Sequence, residues 1–336
     1  MPTDTIAVVL AAGKGTRMKS ARAKVLHEVF FKPMLHHVLD AIVAAAIPEI
    51  AIIIGHDRQA VEQSIRGYAH RPVVQEEQLG TGHAVLCAKN ACQDRDQVMI
   101  LCGDTPLIRP ETLAAMMEAH DRDKATITLM TTVLTNPFGY GRVICNDDGS
   151  IAKIVEEKDA SDTQRQVREI NTGIYLVRRD FLFAALARVG TDNAQGEVYL
   201  TDIIAIANQE GERVGKFFHP DAIDVLGVNS RVELAQAHEE LLMRRNRELM
   251  LAGVTMYLPR TITVQPGIPI GTDSVLEAGV RLTGKTRLGS GVHLQEGAVL
   301  HSCQVGNGAI VGSHAVLHNT TVEDEEHIPP LTYRVG

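Results

Sequence analysis

Residues 6–24 read IAVVLAAGKGTRMKSARAK. The uninterrupted apolar run Ile6–Leu10 predicts a buried strand, and the glycines at 13 and 15 predict a turn directly after it. Glycine lets a backbone approach phosphate oxygens closely, and the N–H groups of such a turn point inward to receive them. Lys14, Arg17, Lys19, Arg22 and Lys24 follow within eleven residues that contain no acid. A glycine pair alone would explain nothing more than a turn. With five cations around it the segment fits a small, highly charged anion, and a polyphosphate is the natural candidate.

Working outward, residues 5 to about 125 alternate short β-branched runs with helical periodicity, the pattern of βαβ units and a mainly parallel sheet. IAIII (50–54) and VMILC (98–102) repeat the buried-strand signal, and Met34, Leu35, Val38, Ile42 and Ala46 form a helical stripe between them. ITLMTTV (127–133), GRVIC (141–145) and GIYLV (173–177) add strands, with helical segments near 180–188 and 199–209. CGDTPL (102–107) directly follows a strand, which puts Asp104 at the carboxyl edge of the sheet, where open α/β folds bind ligands. An aspartate there, facing a triphosphate, suits magnesium, which takes one or two protein oxygens plus phosphate and water. The competing reading is an aspartate that caps a helix beginning near Pro110.

The period changes after residue 253. Ser230 and Glu233 predict a capping box, followed by a helix of about six turns that ends at Gly253 and bridges two domains. Val264, Ile270, Leu276, Leu282, Leu288, Leu294 and Leu300 then recur at every sixth residue; Val305, Val311, Leu317, Val322 and Ile328 continue with two steps of five. Small residues fill many intervening positions, as in the hexapeptide repeat of a left-handed parallel β-helix, here about four coils long. A β-sandwich that happens to fit a period of six is the alternative, and a register held over twelve positions argues against it. The expected organisation is therefore 1–229, 230–253 and 254–336.

Composition bounds the partners. With 336 residues, 45% hydrophobic and 22% charged, the chain fits two soluble domains at roughly 100–200 residues each. No stretch approaches the ~20 apolar residues of a membrane span. The N-terminus lacks the basic and small-residue features of a signal peptide, so a cytoplasmic protein is expected. Five cysteines without a CxxC pair predict reduced thiols rather than disulfides or zinc, and a net charge of -8 opposes a broad nucleic-acid surface.

QEEQLGTGHA (75–84), GYGR (139–142), EINTG (169–173) and GVNS (227–230) are individually weak loop signals. Taken with LAAGKGTRM and CGDTPL they resemble the N-acetylglucosamine-1-phosphate uridylyltransferases, in particular the N-terminal half of the bifunctional enzyme that also acetylates glucosamine 1-phosphate. The likeness runs from about residue 5 to 325. It implies an α/β Rossmann-like nucleotidyltransferase domain with a mainly parallel mixed sheet, then a short left-handed β-helix, and assembly as a homotrimer. It also implies a UTP cradle at Leu10, Ala11, Ala12 and Gly13, with Arg17 on the polyphosphate and Lys24 on the reacting phosphate. Gln75, Gly80 and Thr81 would read uracil, Cys102, Gly103 and Asp104 would lie along the nucleotide, and Gly141, Glu156 and Asn171 would hold the sugar. Asn229 would join Asp104 on Mg²⁺. Two residues depart from the family: Ala23 stands where proline is usual, and Cys102 where an aromatic residue is common.

The implied reaction joins N-acetylglucosamine 1-phosphate to UTP, giving pyrophosphate and UDP-N-acetylglucosamine, a cell-wall (peptidoglycan) precursor. A phosphate monoester is already ionised near pH 7, so no general base is needed, and His27, His36, His37 and His83 are read as helix-face or turn residues. The rivals are a nucleotidyltransferase for another base or sugar, a hexapeptide-repeat acyltransferase, and a degenerate domain that only senses nucleotide-sugar. Acetyl transfer is expected to be absent, because that family's acetyl site lies in later coils, and because Pro329 and Pro330 are expected to end the stack.

Overall fold

Alternate residues of Thr5–Leu10 (β1) enter two separate hydrophobic clusters, Ile6 and Val8 on one face, Ala7 and Val9 on the other. A strand buried on both faces has no polar side to show, which is why IAVVL reads as continuous. The computed structural model describes residues 4–336. The chain divides into a first unit that runs to Leu234 and a second, Ala235–Gly336.

In the first unit β1 leads through the hairpin β2 (Glu28–Val29) and β3 (Lys32–Pro33) to α1 (Met34–Ala44), β4 (Glu49–Ile54), α2 (Arg58–Ser64) and β5 (Arg71–Val74). Next come α3 (Thr81–Cys87), β6 (Gln97–Cys102), α4 (Pro110–Asp123), β7 (Ile127–Val133), β8 (Arg142–Cys145) and β9 (Ile151–Val155). The unit continues with α5 (Asp162–Arg165), β10 (Glu169–Arg178), α6 (Arg179–Leu186), α7 (Ile203–Gln209) and β11 (Val214–Phe218). The nine-stranded sheet has the order β11-β7-β10-β6-β1-β4-β5, with β8 and β9 attached through β10. β10 runs antiparallel to β6 and β7, so the sheet is mixed, as expected.

Helices cover both faces. Leu35 and Ile42 of α1, Val61 of α2 and Met116 of α4 pack on one side, and Val85 of α3, Leu182 of α6 and Ile203 of α7 on the other. From β1 the chain adds β4 and β5 to one side and then returns to set β6 on the opposite side. Successive crossovers therefore part between β1 and β6, and the carboxyl ends of these strands, Leu10 paired with Cys102, border the crevice such a switch leaves.

Helix α8 (Arg231–Leu251) begins as its sequence predicts, with one change. The Ser230 hydroxyl accepts the N–H of Glu233 at 3.2 Å, but the Glu233 carboxylate takes the N–H of Asn229, at 2.6 Å, rather than that of Ser230. The box is shifted by one residue, and the shift ties the GVNS loop to the helix start. Farther along, Asn246 donates to the carbonyls of Pro259 and Ile262 at 2.7 and 2.8 Å, and Leu249 joins the hydrophobic core of the second unit. Gly253, in the left-handed region at φ 97, ends the helical run.

The second unit is a left-handed parallel β-helix whose short strands form sheets of five, five and three members, all parallel. Eleven of the twelve expected repeat positions are buried; Ile270 is half-buried and contributes only a bridge to Leu288. The steps of five shorten a coil by one residue: Leu282 pairs with Leu300, whereas Leu300 pairs with Leu317. The expectation that Pro329 and Pro330 end the stack is corrected. They occupy the corner between strands His327–Ile328 and Tyr333–Val335, and the latter pairs with Val316–His318. A corner needs no ladder donor there, so proline is tolerated.

Among the described residues no helix is long and apolar enough to cross a membrane. All five cysteines are free. The reading of the N-terminus as lacking a signal peptide rests partly on residues 1–3, which lie outside the described residues.

Candidate active site

The turn after β1 folds against Lys24. Gly15 has φ 58, and a Cβ there would stand 2.5 Å from the Cβ of Lys24, so only glycine fits. Gly13 differs: nothing lies within 4 Å of its missing Cβ, and it opens onto a cavity of about 330 Å³. Below it Gly103 donates to the Leu10 carbonyl at 2.9 Å, joining the ends of β1 and β6, and buried Ala11 donates to Ile53 at 2.9 Å.

Lys24 is the centre of the arrangement. Its ammonium forms an ion pair with the Asp104 carboxylate and donates to the Asn229 side-chain oxygen at 3.0 Å. Asp104 is held from behind: its carbonyl accepts the N–H of Val228 at 2.8 Å, and Gly227 packs so closely that a Cβ would stand 3.1 Å from Oδ1. Asn229 Nδ2 donates to the Gly227 carbonyl at 3.0 Å, which turns its oxygen toward Lys24. The helix-cap reading of Asp104 is excluded, because Arg109 occupies the cap position of α4.

One carboxylate and one amide oxygen within reach of the same ammonium form a hard donor pair, and that fits magnesium. Among the described residues no three His, Cys, Asp or Glu side chains gather as a metal site, so the remaining ligands of a magnesium ion would come from substrate and water.

Leu10, Ala12, Gly13, Lys24, Gln75, Gly80, Thr81, Cys102 and Asp104 all line the cavity. Buried Gln75 donates through Nε2 to the Gly80 carbonyl at 3.3 Å and meets His83 Nδ1 at 3.2 Å. Gly80 has φ 108, and a Cβ would collide with the Val198 carbonyl at 2.6 Å. Thr81 heads α3 and accepts the N–H of Leu200 at 3.2 Å. Burial, reinforced by the Asp104 charge, pushes the Cys102 thiol up to about 12, so it stays neutral.

Gly141, Glu156 and Asn171 do not line this cavity; they meet one another nearby. Asn171 donates its N–H to Gly141 at 2.9 Å, and Glu156 Oε1 lies 3.4 Å from where a Gly141 Cβ would stand. Burial, then the charges of Asp159, Asp202 and Glu197, raise the Glu156 carboxyl above its ordinary value, against the opposing bond from Thr201 at 3.3 Å. Strand β10 links this group to the cavity, since Gly173 stands against the Cys102 sulfur. Arg17 also lies outside the cavity lining. It is exposed, forms no ion pair among the described residues, and reaches toward Gly139.

Sequence reasoning missed three side chains. Gln78 donates to the Ala12 carbonyl at 2.9 Å, Glu197 lines the cavity, and His83, read as a helix-face or turn residue, braces Gln75. Only Gln78 and His83 carried a signal, by lying inside QEEQLGTGHA. His36 and His37 do serve packing: they bond Ser64 and the Val29 carbonyl at 2.8 Å each, and burial brings His37 down to about 4. A larger cavity, about 410 Å³, opens at the opposite strand ends. Its arginines are already paired, Arg178 with Glu212 and Arg179 with Asp180, and it holds no glycine loop.

A glycine turn at a switch point, a lysine beyond it and a carboxylate just past the end of the neighbouring strand define a nucleotide-handling α/β domain. Accordingly, residues 7–170 match the MobA-like NTP transferase domain family. Over 96% of its length the chain is 52% identical to the bifunctional protein GlmU of Desulfotalea psychrophila, covering 95% of that protein. It is 46% identical to that of Geobacter metallireducens over 88% of the chain and 63% of the relative, and 43% identical to that of Halalkalibacterium halodurans over 98% and 72%. The chain belongs to the GlmU family.

Proposed function

We propose that the protein is a magnesium-dependent uridylyltransferase that converts UTP and N-acetylglucosamine 1-phosphate to UDP-N-acetylglucosamine and pyrophosphate. The observation that carries this reading is the contact of Lys24 with both Asp104 and Asn229 at the edge of a glycine-lined cavity. A phosphate oxygen of the sugar phosphate attacks the α-phosphorus of UTP, the bond to the β-phosphate breaks, and pyrophosphate leaves in line. Lys24 neutralises charge on the reacting phosphate, and the loop from Leu10 to Gly13 cradles the chain behind it. Asp104 and Asn229 would hold Mg²⁺, which when bound screens the repulsion between two polyanions. Arg17, without a carboxylate partner among the described residues, would meet the polyphosphate as it enters.

Gln75 Nε2 is engaged by Gly80 and His83, which leaves its oxygen to accept the imide N–H of uracil. Gly141, Glu156 and Asn171 take the sugar. The test is pyrophosphate release with a panel of nucleotides and sugar phosphates: UTP with N-acetylglucosamine 1-phosphate should turn over fastest, and a faster thymidylyl or guanylyl reaction would overturn the assignment. Acetyl-coenzyme A with glucosamine 1-phosphate should release no thiol from this chain. Light scattering should give a trimer, the assembly implied by the family resemblance, and a concentration-independent monomer would refute that part.

A further inference from the structure

The segment after β4 grips the phosphate loop at both ends. The N–H of His56 donates to the Ala12 carbonyl at 3.2 Å, and Asp57 Oδ2 accepts the N–H of Ala23 at 3.3 Å. Between these two points most of residues 13–22 are exposed, whereas Ala23 is only 1% exposed and immediately precedes Lys24.

Two features set Asp57 apart. It holds φ 54, in the left-handed region where a residue other than glycine is uncommon. It also occupies the cap position of α2, where an aspartate ordinarily accepts a helix N–H, yet its side chain makes no cap bond. The carboxylate is turned to Ala23 instead. We propose that Asp57 is a positioning residue for Lys24: by fixing the N–H one residue earlier, it keeps the ammonium at Asp104 and Asn229 when the exposed loop moves around an incoming nucleotide. The catalytic half of this inference rests on the uridylyl reading; the clamp itself does not. Ala23 has φ -52 and ψ 135, a conformation proline shares, so a proline there would restrain the same point through its ring and need no acceptor.

Asp57→Gly relaxes the left-handed backbone and removes the acceptor. The expected result is an unchanged or higher Tm with kcat about tenfold lower and KM for UTP little altered, the mark of a misplaced group rather than a weakened fold. Asp57→Asn keeps an acceptor oxygen and tolerates the left-handed region, so it should stay within about twofold of wild type. Adding Ala23→Pro to Asp57→Gly should recover most of kcat. Independently of any substrate, trypsin should cut after Lys19 faster in Asp57→Gly than in wild type, and Ala23→Pro should slow that cut again. Wild-type kcat and tryptic rate in Asp57→Gly, or a loss that Ala23→Pro leaves untouched in both assays, would overturn the inference. A wild-type chain that turns over no UTP while the tryptic differences persist would sink the uridylyl reading and leave the clamp standing.

Discussion

The two units use the same residue types to opposite ends. In the β-helix one job repeats: Leu282, Leu300 and Leu317 stack one above another on a single face, each burying an aliphatic side chain. Many of its glycines lie against the next coil, as at Gly271, where a Cβ would stand 2.5 Å from Gly289. In the sheet unit packing and the proposed chemistry fall to different residues. The aliphatics of β1 and β6 hold the layers, while Gly15, Lys24, Asp104 and Asn229 sit where the strands stop. Periodic packing therefore reports a fold, and interruptions of it report a site.

The sharpest way to break that contrast is Asp104→Ala, with Asn229→Ala beside it. Each should lower turnover by ~10²-fold, on the order of 3 kcal/mol in the barrier, without altering the thermal unfolding of the β-helix. Pyrophosphate release near wild-type rates at limiting Mg²⁺ would show that chemistry does not reside at these strand ends. The converse change is Leu300→Ala, which empties a buried repeat position. It should cost about 3 kcal/mol in denaturant unfolding while kcat of the folded protein stays unchanged.

Smaller effects sharpen the comparison. Gly80→Ala forces a side chain into the Val198 carbonyl at an unfavourable φ, and should cost roughly 1–3 kcal/mol with a raised KM for UTP. Titration calorimetry showing normal UTP affinity would detach Gly80 from the base pocket. Glu156→Gln probes the least visible term. Burial raises the Glu156 carboxyl above its ordinary 4.5, so its contribution to stability is intact below that pH and is lost as pH rises through the folded value. The glutamine variant should thus melt higher than wild type at neutral pH, with the gain fading toward pH 4.5, and a pH-independent difference would refute the cause. Its KM for the sugar phosphate should rise.

Much of this was legible in the sequence because local burial leaves a local pattern. Continuous aliphatic runs marked β1, β4 and β6, and the period of six marked the β-helix, including its shortened coils. Loop identity was partly legible too: nine of the expected residues meet in one cavity. Illegible were contacts between loops distant in sequence, such as Asp57 with Ala23, or Glu197 with the cavity wall. Periodicity records which side of an element is buried and carries nothing about which loop faces which. The proline corner at 329–330 failed for a related reason, since the lost donor matters only within a strand and the sequence alone did not distinguish strand from corner.

One contact has a temporal consequence. Lys24 and Asn229 are 205 residues apart in the chain. At ~5–20 residues per second of synthesis, roughly 10–40 s pass between their emergence from the ribosome. The nascent sheet can stack its first strands during that interval, but its cation has no complete set of partners until the last loop of the unit arrives. The β-helix that follows can add each rung onto a finished neighbour. The proposed site is thus completed only with the last loop of the first unit, and a chain interrupted before residue 229 lacks one of the groups that meet at Lys24.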